Sequence, residues 1–299
     1  MPWYVFAALT PIFYSFSVIT DKFLIEKKIK DPYVLTIVFG LMTGVMGIVL
    51  GFITGFQQIG FVQIGFMMFA GMLLLLYLFP YFEAMKIDEA SRVIPLYQFI
   101  PVITLILSSI FLKETLTYKQ IIGLLIVVSG ALLISMEKIE GRIFRPRKSF
   151  WLILLSSLMY GSIGILFRFV VKNTSVWTTL SYEYIGTGIT ALILFLFIPR
   201  INNGLKKDIK SIRSSIGLIG LDKGLGICAQ ISEGFALSLA AVPLVSTIGS
   251  IQPIIMLIEG VILTMWFPHI IKENIRKETI AHKFISILII FFGLYLVNA

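Results

Sequence analysis

"FYSFSVITDKFLIEK" (13–27) and "MYGSIGILFRFVVKN" (159–173) follow one pattern, matching Tyr14 to Tyr160, Lys22 to Arg168 and Phe23 to Phe169 at an offset of 146. Two further matches continue it. In "FEAMKIDEASRVIPLYQFIP" (82–101), Ala84 and Pro101 meet Ala236 and Pro253 of "GFALSLAAVPLVSTIGSIQP" (234–253) at an offset of 152. "KETLTYK" (113–119) meets "KETIAHK" (277–283) at 164. The offset grows because residues are added before the eighth apolar run and around Trp266–Asn274. The chain is therefore read as two related halves, residues 1–140 and 149–299.

Composition says what the halves are made of. Of the 299 residues, 58% are apolar and 14% charged, and the mean hydropathy is +0.95; soluble domains hold about 45–50% apolar residues. This is the composition of a membrane protein. Apolar runs of roughly 18 or more residues can cross a hydrocarbon core about 30 Å thick. Ten are read here, near 3–20, 33–55, 61–85, 93–112, 119–136, 149–171, 177–198, 215–240, 243–266 and 284–298. The expected fold is an all-α membrane protein with ten transmembrane helices. Five spans per half is an odd number, so the second half sits upside down relative to the first. Many secondary transporters are built from such inverted repeats.

The first run lacks the basic flank and small-residue cleavage pattern of a secretory signal, so it is kept as the first span. The single cysteine, Cys228, lies within a span and is read as a small buried hydrophobe.

In the first half, the junction between spans four and five carries a recognisable pattern. "FLKETLTYKQIIGLLIVVSGALLIS" (111–135) places Glu114, Gln120, Gly123 and Gly130 at characteristic positions, and Thr117 with Gln120 makes a capping box that starts the fifth span. The other half keeps Lys277, Glu278, Thr279 and Gly293 but has Phe284 in place of the glutamine. With five-span halves and a proline in each fourth span, the chain resembles the EamA-type ten-helix members of the drug/metabolite transporter superfamily. The resemblance implies transport and leaves the substrate open.

Most Lys and Arg residues fall in loops 1, 3, 5, 7 and 9, including Lys27, Lys28, Arg142, Arg145, Arg147, Lys148, Lys206, Lys207, Lys210 and Arg213. Basic loops stay cytoplasmic, which puts both termini outside the cytoplasmic membrane, whereas the resemblance implies cytoplasmic termini. The net charge of +9 is accounted for by anionic lipid head groups. No nucleic acid is needed.

"GLDKGLGICAQISEGFALSLA" (220–240) carries the chemistry. At about 100° per residue, Glu233 falls about 20° from Asp222, Gln230 about 80° and Lys223 about 100°, so all four share one face. An ionisable cluster inside a span is a functional-site hypothesis by default. Other spans offer Tyr14 and Asp21, Tyr97, Tyr160 and Arg168, Glu183, and Gln252 with Glu259. Lys22 and Arg168 stand near span ends, where long cations commonly snorkel to the interface. Gly44, Gly47, Gly51, Gly186 and Gly188 read as helix-packing positions, and Pro101 and Pro253 as paired mid-span kinks.

The substrate-binding set is thus Asp222, Lys223, Gln230, Glu233, Tyr14, Tyr97, Tyr160, Arg168, Glu183, Gln252 and Glu259. No metalloprotease, nucleophile-elbow or phosphate-loop motif occurs, and only His269 and His282 are present as histidines; no enzyme, cofactor or metal is expected. The reading is a secondary transporter of a small polar metabolite, an amino acid or similar, working by alternating access. Its carboxylates would allow proton coupling. A lipid or lipid-linked head-group flippase and a non-transporting scaffold are the alternatives.

Overall fold

A computed structural model describes residues 2–112, 117–139, 142–249, 251–266 and 277–298. Glu114, His269 and most of the insertion after Trp266 lie outside the described residues. Helices stand over every apolar run. They are α1 Trp3–Phe23, α2 Pro32–Thr54, α3 Phe61–Leu76, α4 Leu78–Ile87, α5 Ala90–Leu96, α6 Phe99–Leu112 and α7 Tyr118–Ser135. After them come α8 Lys148–Val171, α9 Val176–Phe197, α10 Pro199–Ser214, α11 Ile216–Leu239, α12 Val242–Gly249, α13 Gln252–Trp266 and α14 Lys277–Asn298. A short antiparallel pair, β1 Met136–Ile139 and β2 Arg142–Pro146, links α7 to α8. Among the described residues, six helical stretches are long and apolar enough to cross a membrane: 3–28, 32–54, 61–87, 90–111, 148–171 and 176–197. The chain is an integral multi-pass membrane protein.

Local chemistry sets the boundaries. Asp31 caps α2, accepting from the Tyr33 amide at 2.9 Å, with Pro32 at the first helical position. Gly55, at φ 75°, ends that helix in a conformation other residues resist. The reciprocal box at α7 forms as read: Thr117 N donates to Gln120 Oε1 at 2.8 Å, and Gln120 N to Thr117 Oγ1 at 3.3 Å.

The prolines act differently from the expected mid-span kinks. The chain breaks about one turn before each, between α5 and α6 at Tyr97–Gln98 and between α12 and α13 after Gly249. Pro101 and Pro253 then fall in the first turns of α6 and α13, where a backbone N–H has no intrahelical partner to lose. α10 was also unforeseen from the apolar runs. It is an amphipathic helix with Arg200, Lys206, Lys207, Lys210 and Arg213, and it buries Ile201 and Ile212.

α2 packs against α9, α7 against α14, and α1 against α11, while α8 packs against α3, α4 and α6. Small residues permit the closest approaches. A methyl on Gly44 would lie 2.5 Å from the Gly188 Cα, and one on Gly186 would lie 2.7 Å from the Met68 Cα. Gly293 faces the Gly123 carbonyl in the same manner, at 2.7 Å.

The connections sort into two ends. At one, Arg147 and Ser149 at the start of α8 bind Asp88 between α4 and α5, and Lys283 of α14 binds Glu89. Arg200 of α10 stacks on Tyr33 of α2, 4.5 Å from the ring centre, beside this end. At the other, Gln57 after α2 accepts from the Ser175 amide at 3.1 Å. The segments holding Tyr33, Asp88, Arg147, Arg200 and Lys283 thus share one end, and the turns after α2 and before α9 meet at the opposite one.

Cys228 corrects the sequence reading, for it is exposed on α11. Lys22 and Arg168 correct it as well. Lys22 is buried and Arg168 half-buried, and both turn to backbone: the Lys22 ammonium donates to the Met85 carbonyl and, at 2.6 Å, to the Asp88 carbonyl, and the Arg168 guanidinium donates to the Leu237 carbonyl. Each basic group covers backbone carbonyls that a helix end leaves without partners.

Candidate functional site

A cavity of about 160 Å³ lies among α1, α2, α4, α8 and α11. Helix periodicity delivers its polar wall. Tyr14, Ser17 and Asp21 stand on one stripe of α1, and Gly226, Gln230 and Glu233 on one stripe of α11. Tyr77 and Tyr81 flank the start of α4, while Tyr97 and Gln98 occupy the break before α6. Gln252 closes the lining from α13.

At the centre, Glu233 is held by two tyrosines. Tyr160 donates to Glu233 Oε2 at 2.6 Å, Tyr14 reaches the same oxygen at 3.4 Å, and the two hydroxyls are 2.8 Å apart. These tyrosines are the matched residues of the two halves. A small adjoining pocket of about 30 Å³ joins Glu233, Gln230 and Tyr160 to Glu183, which is 4% exposed.

A second polar group lies along the same face. Ser17 donates to Asp222 Oδ1 at 2.7 Å, and Tyr81 donates to Asp21 Oδ2 at 2.8 Å. Lys223 Nζ stands 3.9 Å from Asp222 Oδ2 and 3.7 Å from the centre of the Phe39 ring. α11 runs unbroken from Ile216, so Asp222 and Lys223 belong to the helix and not to the loop before it. Tyr97 shares a 2.6 Å bond with Ser156, which in turn donates to the Tyr77 carbonyl at 3.1 Å.

Of the residues singled out in the sequence, Tyr14, Tyr97, Tyr160, Lys223, Gln230, Glu233 and Gln252 converge on the main cavity. Asp222 lies behind this wall at 0% exposure, and Glu183 lines the side pocket. Arg168 and Glu259 are not among the lining residues. Arg168 is engaged with Leu237, and Glu259 accepts from Ser15 at 3.2 Å. Sequence reasoning passed over Tyr77, Tyr81, Gln98 and Phe39. They sit in apolar runs where an aromatic or a lone amide reads as packing; Asp21 gives Tyr81 a polar task across the cavity, and Lys223 does so for Phe39. Among the described residues, no group of three or more His, Cys, Asp or Glu stands ready to hold a metal ion.

A cavity walled by tyrosines, amides and carboxylates between packed helices can bind a small polar molecule and exclude lipid. Residues 1–136 match the EamA-like transporter family. The match is consistent with membership of the drug/metabolite transporter superfamily, and the EamA family is one of transporters, not enzymes. An uncharacterised protein of Methanocaldococcus jannaschii is 43% identical over 56 residues, 19% of this chain and 41% of that one. The chain thus spans about two-fifths of that relative's length. A solved crystal structure superposes with a TM-score of 0.59 at 16% identity, covering 98% of this chain and 94% of the other. That likeness extends along both halves and shows a shared fold. The EamA match covers the cavity walls supplied by α1, α2, α4 and α5, and α8 and α11 supply the opposing wall.

Proposed function

We propose that this chain is a secondary transporter of a small polar metabolite, an amino acid or similar, with ten spans arranged as two inverted repeats of residues 1–140 and 149–299. The observation that carries this reading is the convergence of Tyr14 and Tyr160 on Glu233. Residues 146 apart in sequence meet at one oxygen in the central cavity, where repeat-built transporters place their substrate.

The packing supports the repeat. α2 against α9 and α7 against α14 pair equivalent helices, and α1 against α11 has its counterpart in α8 against α3 and α4. Alternating access would then be a rocking of one bundle against the other around the cavity. The gathering of the basic loops at one end supports placing that end in the cytoplasm and the termini outside. Substrate contact is assigned to Glu233, Tyr14, Tyr160, Gln230 and Gln252.

Uptake into proteoliposomes across a panel of labelled amino acids and related metabolites tests the reading. Glu233→Gln is expected to lower uptake at least tenfold, while Tyr14→Phe and Tyr160→Phe each lower it severalfold. Wild-type protein that accumulates nothing from the panel, or a Glu233→Gln variant that transports at the wild-type rate, would overturn it.

A further inference from the structure

Two buried carboxylates and one ammonium lie where α1 packs against α11. Asp21 is 7% exposed, Asp222 is 0% exposed, and the Lys223 side chain is 17% exposed. Each carboxylate has one oxygen in use, Asp21 Oδ2 with Tyr81 and Asp222 Oδ1 with Ser17. The other two oxygens, Asp21 Oδ1 and Asp222 Oδ2, are buried without a hydrogen-bond partner. Lys223 Nζ, at 3.9 Å from Asp222 Oδ2, is outside hydrogen-bond reach and rests on the Phe39 ring. Ser17 and Asp21 lie one turn apart on α1, so the helix face that binds Asp222 also presents Asp21, which stands in the field of both Asp222 and Lys223.

The surrounding groups leave the charge uneven. Tyr77, Tyr81 and Tyr97 contribute phenols, and α2 contributes the Phe39 ring and the Thr43 hydroxyl, none of them a cation. Glu233 is engaged with Tyr14 and Tyr160. Lys22, next to Asp21 in sequence, is turned to the Met85 and Asp88 carbonyls and to Glu26 at 3.0 Å. Two negative charges therefore face one positive charge in a setting that strongly disfavours net charge. One positive charge is missing.

We propose that Asp21 and Asp222 form a proton-binding site, holding one proton between their two unpartnered oxygens. The bound proton converts one carboxylate to a carboxylic acid, which donates where no donor stood, and the trio with Lys223 goes from a net charge of −1 to zero. Nothing else is exchanged. A hard metal cation takes six or more oxygen ligands, and two are free here. That this proton is the coupling ion rests on the transport reading above; the binding site itself does not.

Infrared spectra of the purified full-length chain in lipid nanodiscs, recorded across a pH series, provide the test. The expected result is a carboxylic-acid carbonyl band worth one protonated group per chain, lost in both Asp21→Asn and Asp222→Asn and kept in Glu233→Gln, Glu183→Gln and Glu259→Gln. A band that survives both Asn variants, or that vanishes with one of the three Gln variants, overturns the proposal. If an Asn variant does not fold, Asp21→Glu and Asp222→Glu decide: the band must move in frequency in both, and an unmoved band overturns it. Loss of the band on replacing potassium by sodium at fixed pH would assign the site to a metal cation and also overturn it. The titration needs no substrate, so an intact band in a protein that transports nothing would sink the transport reading alone.

Discussion

Asp88–Glu89 joins α4 to α5, and Ala240–Ala241 joins α11 to α12, at equivalent places 152 residues apart. The backbones agree closely. The Asp88 amide donates to the Ala84 carbonyl at 3.0 Å, and the Ala240 amide donates to the Ala236 carbonyl at 2.9 Å. Each corner also has its basic cover, Lys22 on Met85 and Arg168 on Leu237, again at matching positions. The side chains of the links differ. Asp88 is tied to Arg147 at 3.1 Å and to Ser149 at 2.8 Å, and Glu89 to Lys283 at 2.5 Å. Ala240 and Ala241 have no ionisable group; Ala240 packs with Ala236, Leu237 and Val242, and Ala241 is exposed. Backbone geometry therefore follows from helix length and the two-residue link, whereas the ion pairs depend on side chains that only one link carries. One link is tied by ion pairs, the other by a buried alanine and the Arg168 cover.

The largest effect should come from cutting the charged tie. Lys283 is 2% exposed and serves both Glu89 and Ser91. Lys283→Met is expected to destabilise the fold by about 3 kcal/mol, since the charge-assisted bond to Glu89 and the bond to Ser91 are both lost, while Glu89 keeps Arg92 at 3.5 Å. Thermal unfolding in detergent should show a clearly lower midpoint, with part of the loss recovered when Glu89→Gln is added. A midpoint equal to wild type would mean that the tied end is held by packing like its counterpart.

Next in size is the pair of basic covers. Lys22→Met removes a buried cation from two carbonyls and from Glu26, at about 2 kcal/mol, and Arg168→Met frees one carbonyl, at about 1 kcal/mol. The same unfolding assay should rank them in that order. Equal losses would show that the ends differ in decoration and not in strength. Smallest is a transplant at the bare corner. Ala241→Asp places a carboxylate on the exposed residue just before α12, where the helix dipole favours it by about 0.5 kcal/mol, and raising ionic strength should shrink the gain. A loss in stability would show that the corner resists charge even where it is exposed.

The fold was legible where chemistry repeats at fixed spacing. The Tyr14–Tyr160 match, the Thr117–Gln120 box and the polar face of α11 each rest on periodicity or on a local hydrogen bond, and sequence exposes both. What stayed hidden depends on partners distant in the chain. Nothing in "YLFPYFE" (77–83) says that Tyr81 will reach Asp21, sixty residues earlier. Likewise, Lys22 and Arg168 read as interface anchors because the carbonyls they cover belong to other helices. The shift of each break ahead of Pro101 and Pro253 has another cause: proline is compatible with a helix start, so its presence alone does not say on which side the helix divides.

The contact between Gly44 and Gly188 has a mechanical consequence. With no side chain between them, α2 and α9 touch backbone to backbone, and neither can slide sideways without losing the contact. In the rocking motion proposed above, this crossing would be the fulcrum. α2 has 23 residues and is about 35 Å long at 1.5 Å per residue, so a tilt of about 10° about its midpoint would displace each tip by roughly 3 Å. A lever of that length turns a motion too small to disturb the glycine contact into one wide enough to admit a water molecule at either end.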